Sequence, residues 1–181
     1  THNNAKNVLK NVKKLNAKSS QFKDFYKSYY LNKKAEFPLI DAKIAISKDF
    51  YTISKKSKWI TNLKSRQVAH LIRSKYDCIV STSNSINKDN SLLNCRIKGL
   101  NYNKPDLIII DRDLKLKKNL RLIKISDKRK TYIITLSNNQ SKITYFKKKK
   151  IKVIKINQLL DKYDFENLFK KIFKIGKGRI L

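Results

Sequence analysis

Apolar residues recur along this chain in two rhythms, one helical and one alternating. Val8, Leu9, Val12 and Leu15 fall at helical spacing, and Phe22, Phe25, Tyr26, Tyr29 and Tyr30 repeat it. Such spacing gathers them on one side of one or two amphipathic helices that need something to pack against. Glu36-Phe37-Pro38 breaks the pattern. Residues 1–36 are therefore expected to form a helical arm, or the tail of a preceding domain, ahead of a domain spanning 37–181.

Beyond Pro38 the rhythm alternates between strand and helix. Leu39 to Ile46 reads as a strand closed by a Ser47-Lys48-Asp49 turn. Thr61 is placed to cap a helix from Asn62 to about Lys75, with Val68, Leu71 and Ile72 on its buried side. Cys78 to Ser81 reads as a short strand, and Asn84 to Lys88 as a helical turn. Leu107 to Ile110 is apolar at every position, which fits a strand covered on both faces. Tyr132 to Leu136 and Ile151 to Ile156 are two further strands, with a lysine-rich helix or loop between them. Asp164 opens a last helix on which Phe165, Leu168, Phe169, Ile172 and Phe173 share a face; Gly176 and Gly178 end it, and Arg179-Ile180-Leu181 starts another strand. Strands separated by helices predict an α/β layer fold with a largely parallel sheet.

Composition adds one strong signal. The chain has 181 residues, and its 44 basic and 13 acidic side chains give a net charge of +31. A chain so basic condenses on polyphosphate by releasing counterions, which keeps a nucleic-acid-binding protein in play. Yet only seven of the 44 basic residues are arginine, the residue best suited to base readout and bidentate phosphate clamps. The lysines are scattered among many asparagines and isoleucines, a mixture that also follows from drift toward A/T-rich codons at solvated positions. Specific nucleic-acid recognition is not expected. Cys78 and Cys95 lie in apolar runs at a spacing that matches no zinc motif, so buried reduced thiols and a cytoplasmic setting are expected. No apolar run approaches the ~20 residues of a membrane span.

Candidate chemistry is sparse. The chain has three glycines and lacks both common phosphate-loop motifs. It has no H-x-E paired with P-C-x-x-C, hence no zinc deaminase site, and no metal site is expected. Of the two histidines, His70 sits in a helical stretch and reads as a surface or half-buried structural residue. What remains is a set of polar residues at strand and helix ends between Ser47 and Arg112, where α/β sheets bind anionic ligands. Ser57, Arg73 and Arg96 among them could clamp a phosphomonoester.

The order of those residues resembles one family. Ser57-Lys58-Trp59-Ile60-Thr61, His70-Leu71-Ile72-Arg73, Asp77-Cys78-Ile79 and Asn87-Lys88-Asp89-Asn90-Ser91-Leu92 with Arg96 are similar to S-x-W-I-T, H-x-L-R, D-A-I-L and T-V-x-x-D-(D/N)-P-x-L-x-x-R of the reductase domain of the bifunctional riboflavin-biosynthesis deaminase/reductase. Pro38, Lys43-Ile44-Ala45 and Ser47-Lys48-Asp49 resemble that family's first strand, and Ile108-Ile109-Ile110-Asp111 a later one. The resemblance implies a dihydrofolate-reductase-like fold, with NADPH reducing the ribosyl group of 5-amino-6-(5-phosphoribosylamino)uracil to a ribityl chain. It implies substrate contacts from Ser57, Arg73, Leu93 and Arg96, the arginines holding the phosphate. It also implies a cofactor site lined by Ala45, Trp59, Ser85, Asp89 and Arg112, and a homodimer. Trp59 has a second reading as a core aromatic, and Arg112 a second reading as plain surface.

Several positions depart from the family pattern. Ser85 stands where threonine is usual, Ser91 replaces a proline, Phe50 replaces the glycine after Asp49, and Arg112 replaces a serine. The family runs on past a strand like Arg179-Ile180-Leu181 into a glutamate and glycines that bind substrate and cofactor. The resemblance therefore predicts a reductase domain lacking its C-terminal part.

Overall fold

A computed structural model describes residues 23–52, 59–100 and 105–181. The first described helix, α1 (Lys23–Lys34), leads into a two-residue strand β1 (Leu39–Ile40). Then come α2 (Leu63–Arg73), β2 (Cys78–Thr82), α3 (Ser83–Asp89) and β3 (Asp106–Ile110). A short α4 (Arg121–Lys124) and a 3-10 turn (Ser126–Lys128) precede β4 (Thr131–Thr135), α5 (Gln140–Lys148), β5 (Lys152–Lys155), α6 (Lys162–Lys174) and β6 (Arg179–Ile180). The strands form one six-stranded sheet in the order β1-β6-β2-β3-β4-β5, every pair parallel.

Burial of both sheet faces explains the unbroken apolar run in β3. Leu107 and Ile109 pack with Ile133, Ile143 and Phe146 on one face, beneath α3, α4 and α5. Ile108 packs with Ile134, Leu168 and Ile172 on the other, beneath α6. Side chains alternate along a strand, so a strand apolar at every position feeds two cores at once. α6 is set by a reciprocal capping box between Asp161 and Asp164, so it starts earlier than the apolar pattern alone suggests. It ends at Gly176, whose φ of +85° needs no side chain and whose N–H donates to the Phe173 carbonyl. Gly178 serves a different purpose. A Cβ there would lie 2.5 Å from Asn32 Nδ2, so a side chain at 178 would displace the Asn32 amide of α1.

Three expectations need correction. The predicted strand from Leu39 to Ile46 pairs only over Leu39–Ile40, because its ladder on β6 closes with Asp41 N–H donating to the Ile180 carbonyl. α2 is capped by Asn62 rather than Thr61: Asn62 Oδ1 accepts from Ser65 N at 2.8 Å, while the Thr61 carbonyl accepts from Arg66 Nη1. The face of α2 expected to be buried is largely open, with Val68 53% and Leu71 41% exposed and Ile72 half-buried. No residue of α2 is fully buried: among the described residues it meets the irregular strip 43–46 and, at its C-terminal end, the loop at Asn94, rather than the face of the sheet. The short α4 was not legible in the sequence, although Leu120, Leu122 and Ile123 are buried. No helix among the described residues is long and apolar enough to cross a membrane.

Candidate functional site

The carboxyl ends of β1, β6 and β2 open onto a cleft of about 380 Å³, walled by Ile40, Lys43, Arg73, Ser81, Leu93 and Leu181 among others. This is the edge at which parallel sheets present ligand sites. Arg73 arrives there because it closes α2, and a cation in a helix's last turn is favoured by the carbonyl dipoles. Leu93 arrives on the loop that follows α3.

That loop is held by two arginines and a histidine. Asn94 carries most of the contact: its carbonyl lies 3.0 Å from His70 Nδ1 and accepts from Arg73 Nη1 at 3.3 Å. Its side-chain oxygen accepts from Arg96 Nη1 at 3.2 Å. His70, Arg73 and Arg96 are thus gathered around one residue. Burial, then the charges of Arg96 and Arg73, hold the His70 imidazole below its ordinary value of 6.5. Burial, then Arg96, pulls the Arg73 guanidinium down from its usual value. Burial and Arg73 do the same to the Lys43 ammonium. The two ion pairs among the described residues lie elsewhere, Lys115 with Asp113 and Lys177 with Asp106. Asp41 lines the cleft but accepts a 2.7 Å hydrogen bond from Tyr76. Cations that repel one another without an ion-pair partner make a site suited to an anion.

A second cleft of about 460 Å³ lies between strip 43–46 and α2, and includes Ala45, Thr61 and Ser65. Lys43 lines both clefts, so the two adjoin. Trp59 is 55% exposed, with the Arg66 guanidinium 4.7 Å from its ring centre, which rules out the core-aromatic reading. Ser85 and Asp89 are exposed on α3. Thr82 caps that helix through Ser85 N–H, and Ser83 Oγ donates to Asp111 at 2.8 Å. Buried Asp111 also accepts from the N–H groups of Lys115 and Leu116, and so pins the turn after β3 that carries exposed Arg112.

The structure thus joins Arg73, Leu93 and Arg96 around Asn94 and places Ala45 in the neighbouring cleft. Ser85, Asp89 and Arg112 follow β2 and β3 along the same edge of the sheet. Ser57 lies outside the described residues. Asn94 and Arg129 carry no signal in the sequence motifs, and Lys43 belongs to the first-strand motif without a site role assigned to it there. Asn94 acts through its carbonyl, which no side-chain pattern reveals.

A parallel α/β sheet with helices over both faces and its polar residues along the carboxyl edge defines the class, a dihydrofolate-reductase-like layered domain. The chain belongs to the RibD C-terminal domain family, whose model matches residues 38–181. Among curated proteins it is similar to the riboflavin biosynthesis protein RibD of Actinobacillus pleuropneumoniae, at 25% identity over 80% of this chain and 38% of that protein. It is also similar to RibD of Buchnera aphidicola, at 30% identity over 78% of this chain and 44% of that protein. The chain therefore spans less than half the length of these relatives. Among solved structures it resembles the deaminase/5-amino-6-(5-phosphoribosylamino)uracil reductase of Thermotoga maritima, with a TM-score of 0.70 and 21% identity. That match covers 90% of this chain and 43% of the other.

Proposed function

We propose that residues 37–181 are the reductase module of riboflavin biosynthesis, with α1 and the residues before it as an arm or the tail of an upstream domain. The reaction is reduction of the ribosyl group of 5-amino-6-(5-phosphoribosylamino)uracil to its ribityl counterpart, with NADPH as reductant. The observation that carries the reading is the grouping of His70, Arg73 and Arg96 around Asn94 beside Lys43. A site with that charge accepts a phosphomonoester dianion, and guanidinium groups grip it with paired hydrogen bonds.

In this reading Arg73 and Arg96 hold the substrate phosphate, Leu93 packs against the sugar, and Ser57 supplies a hydroxyl. The cofactor fits the adjoining cleft. Ala45 lines that cleft. Outside its lining, Trp59 offers an exposed ring, Ser85 and Asp89 exposed polar groups, and Arg112 an exposed cation for the extra phosphate. When bound, the cofactor would supply a hydride to the sugar C1 as the bond from C1 to the ring oxygen opens, that oxygen taking a proton from water. The protein's share is to place the two partners and exclude bulk water, so no strong acid need be present. A homodimer in the cytoplasm is part of the same proposal.

Two measurements on the full chain test it: calorimetric binding of ribose 5-phosphate, and loss of NADPH absorbance with the pyrimidine substrate. Arg73→Ala is expected to weaken ribose 5-phosphate by about tenfold or more, since a hydrogen bond to a charged group contributes about 1.5–3 kcal/mol. Binding indifferent to both Arg73→Ala and Arg96→Ala would overturn the assignment of the site.

A further inference from the structure

Arg129 lies outside every motif that carries the family resemblance, yet it reaches the loop bearing Leu93. It follows the 3-10 turn and precedes β4, and its guanidinium is spent wholly on backbone carbonyls. Nε donates to Pro105 O at 2.6 Å, and Nη1 donates to Leu92 O. Nη2 donates to Leu93 O at 3.1 Å, with Asp106 O at the 3.5 Å limit. Burial pulls this guanidinium down to about 10, the Asp106 charge opposes that, and Arg73 adds to it.

What those bonds restrain is unusual. Leu93 has φ +50°, a left-handed conformation that glycine adopts freely and a leucine resists. Such backbone persists where its surroundings over-determine it. Here three successive carbonyls, those of Leu92, Leu93 and Asn94, are all met by arginine or histidine side chains. Arg129 takes the first two, and Arg73 with His70 the third. The same turn sends Leu93 into the cleft and brings Asn94 Oδ1 to Arg96.

We propose that Arg129 is a positioning residue of the anion site: by clamping the Leu92 and Leu93 carbonyls it holds Leu93 left-handed and so sets Arg96 against Arg73. The proposal rests on the phosphate reading of that site given above. It differs from a purely electrostatic role, in which any cation would do. It also differs from a purely structural one, in which loss of Arg129 would weaken the whole fold and nothing local would restore binding.

The test uses the full chain with Arg129→Lys, Arg129→Ala, Leu93→Gly and the double variant Arg129→Ala/Leu93→Gly. The probe is ribose 5-phosphate, measured by calorimetry, with amide exchange followed at residues 92–96. Lysine keeps the charge but cannot span carbonyls held by a planar fork. We expect Arg129→Lys to weaken binding about tenfold and to speed exchange at 92–96 while β3 and β4 stay protected. Glycine at 93 adopts the left-handed turn unaided but gives up the Leu93 side chain in the cleft, so the double variant is compared with Leu93→Gly alone. Losing Arg129 should cost less affinity in that background than in wild type. Wild-type affinity in Arg129→Lys, or an Arg129→Ala loss as large beside Leu93→Gly as in wild type, would overturn the proposal. Should Arg73→Ala leave ribose 5-phosphate binding unchanged, the phosphate reading falls instead. The exchange rates in Arg129→Lys then decide the clamp alone, with unaltered protection at 92–96 counting against it.

Discussion

At the scale of single residues, the proposed anion site is a place where like charges have been brought together against their preference. His70 shows the consequence best, because its imidazole titrates in an accessible range. Burial and the neighbouring Arg96 and Arg73 hold its folded value below 6.5, while the carbonyl of Asn94 opposes them. The unfolded chain therefore binds the proton first as pH falls through 6.5. Stability from this group is accordingly present above 6.5 and is lost on acidification from there down to the folded value. A phosphate dianion bound between the arginines reverses the local sign and favours the protonated ring. An NMR titration of the imidazole signals, of which the chain has only two, is expected to show one histidine moving upward when ribose 5-phosphate is added. A His70 signal that titrates identically with and without the sugar phosphate would place the anion elsewhere.

Among the elements, the contrast between α6 and α2 divides what holds the fold from what shapes the site. Leu168 and Ile172 on α6 are 2% and 1% exposed and sit on the sheet, whereas Val68 on α2 is 53% exposed. Leu168→Ala is expected to cost about 2–5 kcal/mol through lost burial and a residual cavity. Val68→Ala should stay within about 0.5 kcal/mol, as surface changes do. Urea titrations of the two variants check this, and comparable losses would mean that α2 is buried in solution. The same contrast shows why the sequence was readable in some places and not in others. Helical periodicity reports that a face is apolar, and it placed α6, β3 and β4 correctly because each finds a partner in the described fold. It reported an apolar face on α2 as well, of Val68, Leu71 and Ile72, but could not say that this helix would meet strip 43–46 and the loop at Asn94 rather than the sheet. The strand expected over 39–46 shortened to Leu39–Ile40 for a related reason, since a strand is defined by its neighbour's ladder as much as by its own residues. The site followed a different logic. Arg73 and Arg96 stood out because motif order marked them, and Leu93 came with the motif. The left-handed turn at Leu93 and the carbonyls that organise it have no side-chain signature, so Arg129 was invisible until its partners were.

Over the whole molecule the dominant property is charge, and it bears on which class of anion the chain recognises. A net +31 with seven arginines among 44 basic residues means that most of the field comes from lysines. From Lys128 to Leu160 there are basic residues and no acidic ones. Lys147, Lys148, Lys149, Lys150, Lys152 and Lys155 are all exposed or at the surface edge of β5. Such a surface attracts RNA through counterion release, a term without sequence information that weakens steeply as salt rises. A site that recognises one phosphate behaves differently, because its gain comes from placed guanidinium groups in a cleft and is less screened. We therefore expect a fluorescent RNA oligonucleotide to bind the full chain at low salt, with log K falling linearly with log salt and little binding left near about 0.15 M. Unrelated oligonucleotides should fall on the same line, and Arg73→Ala should not shift it. Ribose 5-phosphate binding, in contrast, should persist at that salt and weaken by about tenfold or more with Arg73→Ala. Sequence-selective RNA binding that survives physiological salt would contradict this separation and would make the lysine-rich surface, rather than the cleft at Asn94, the functional face.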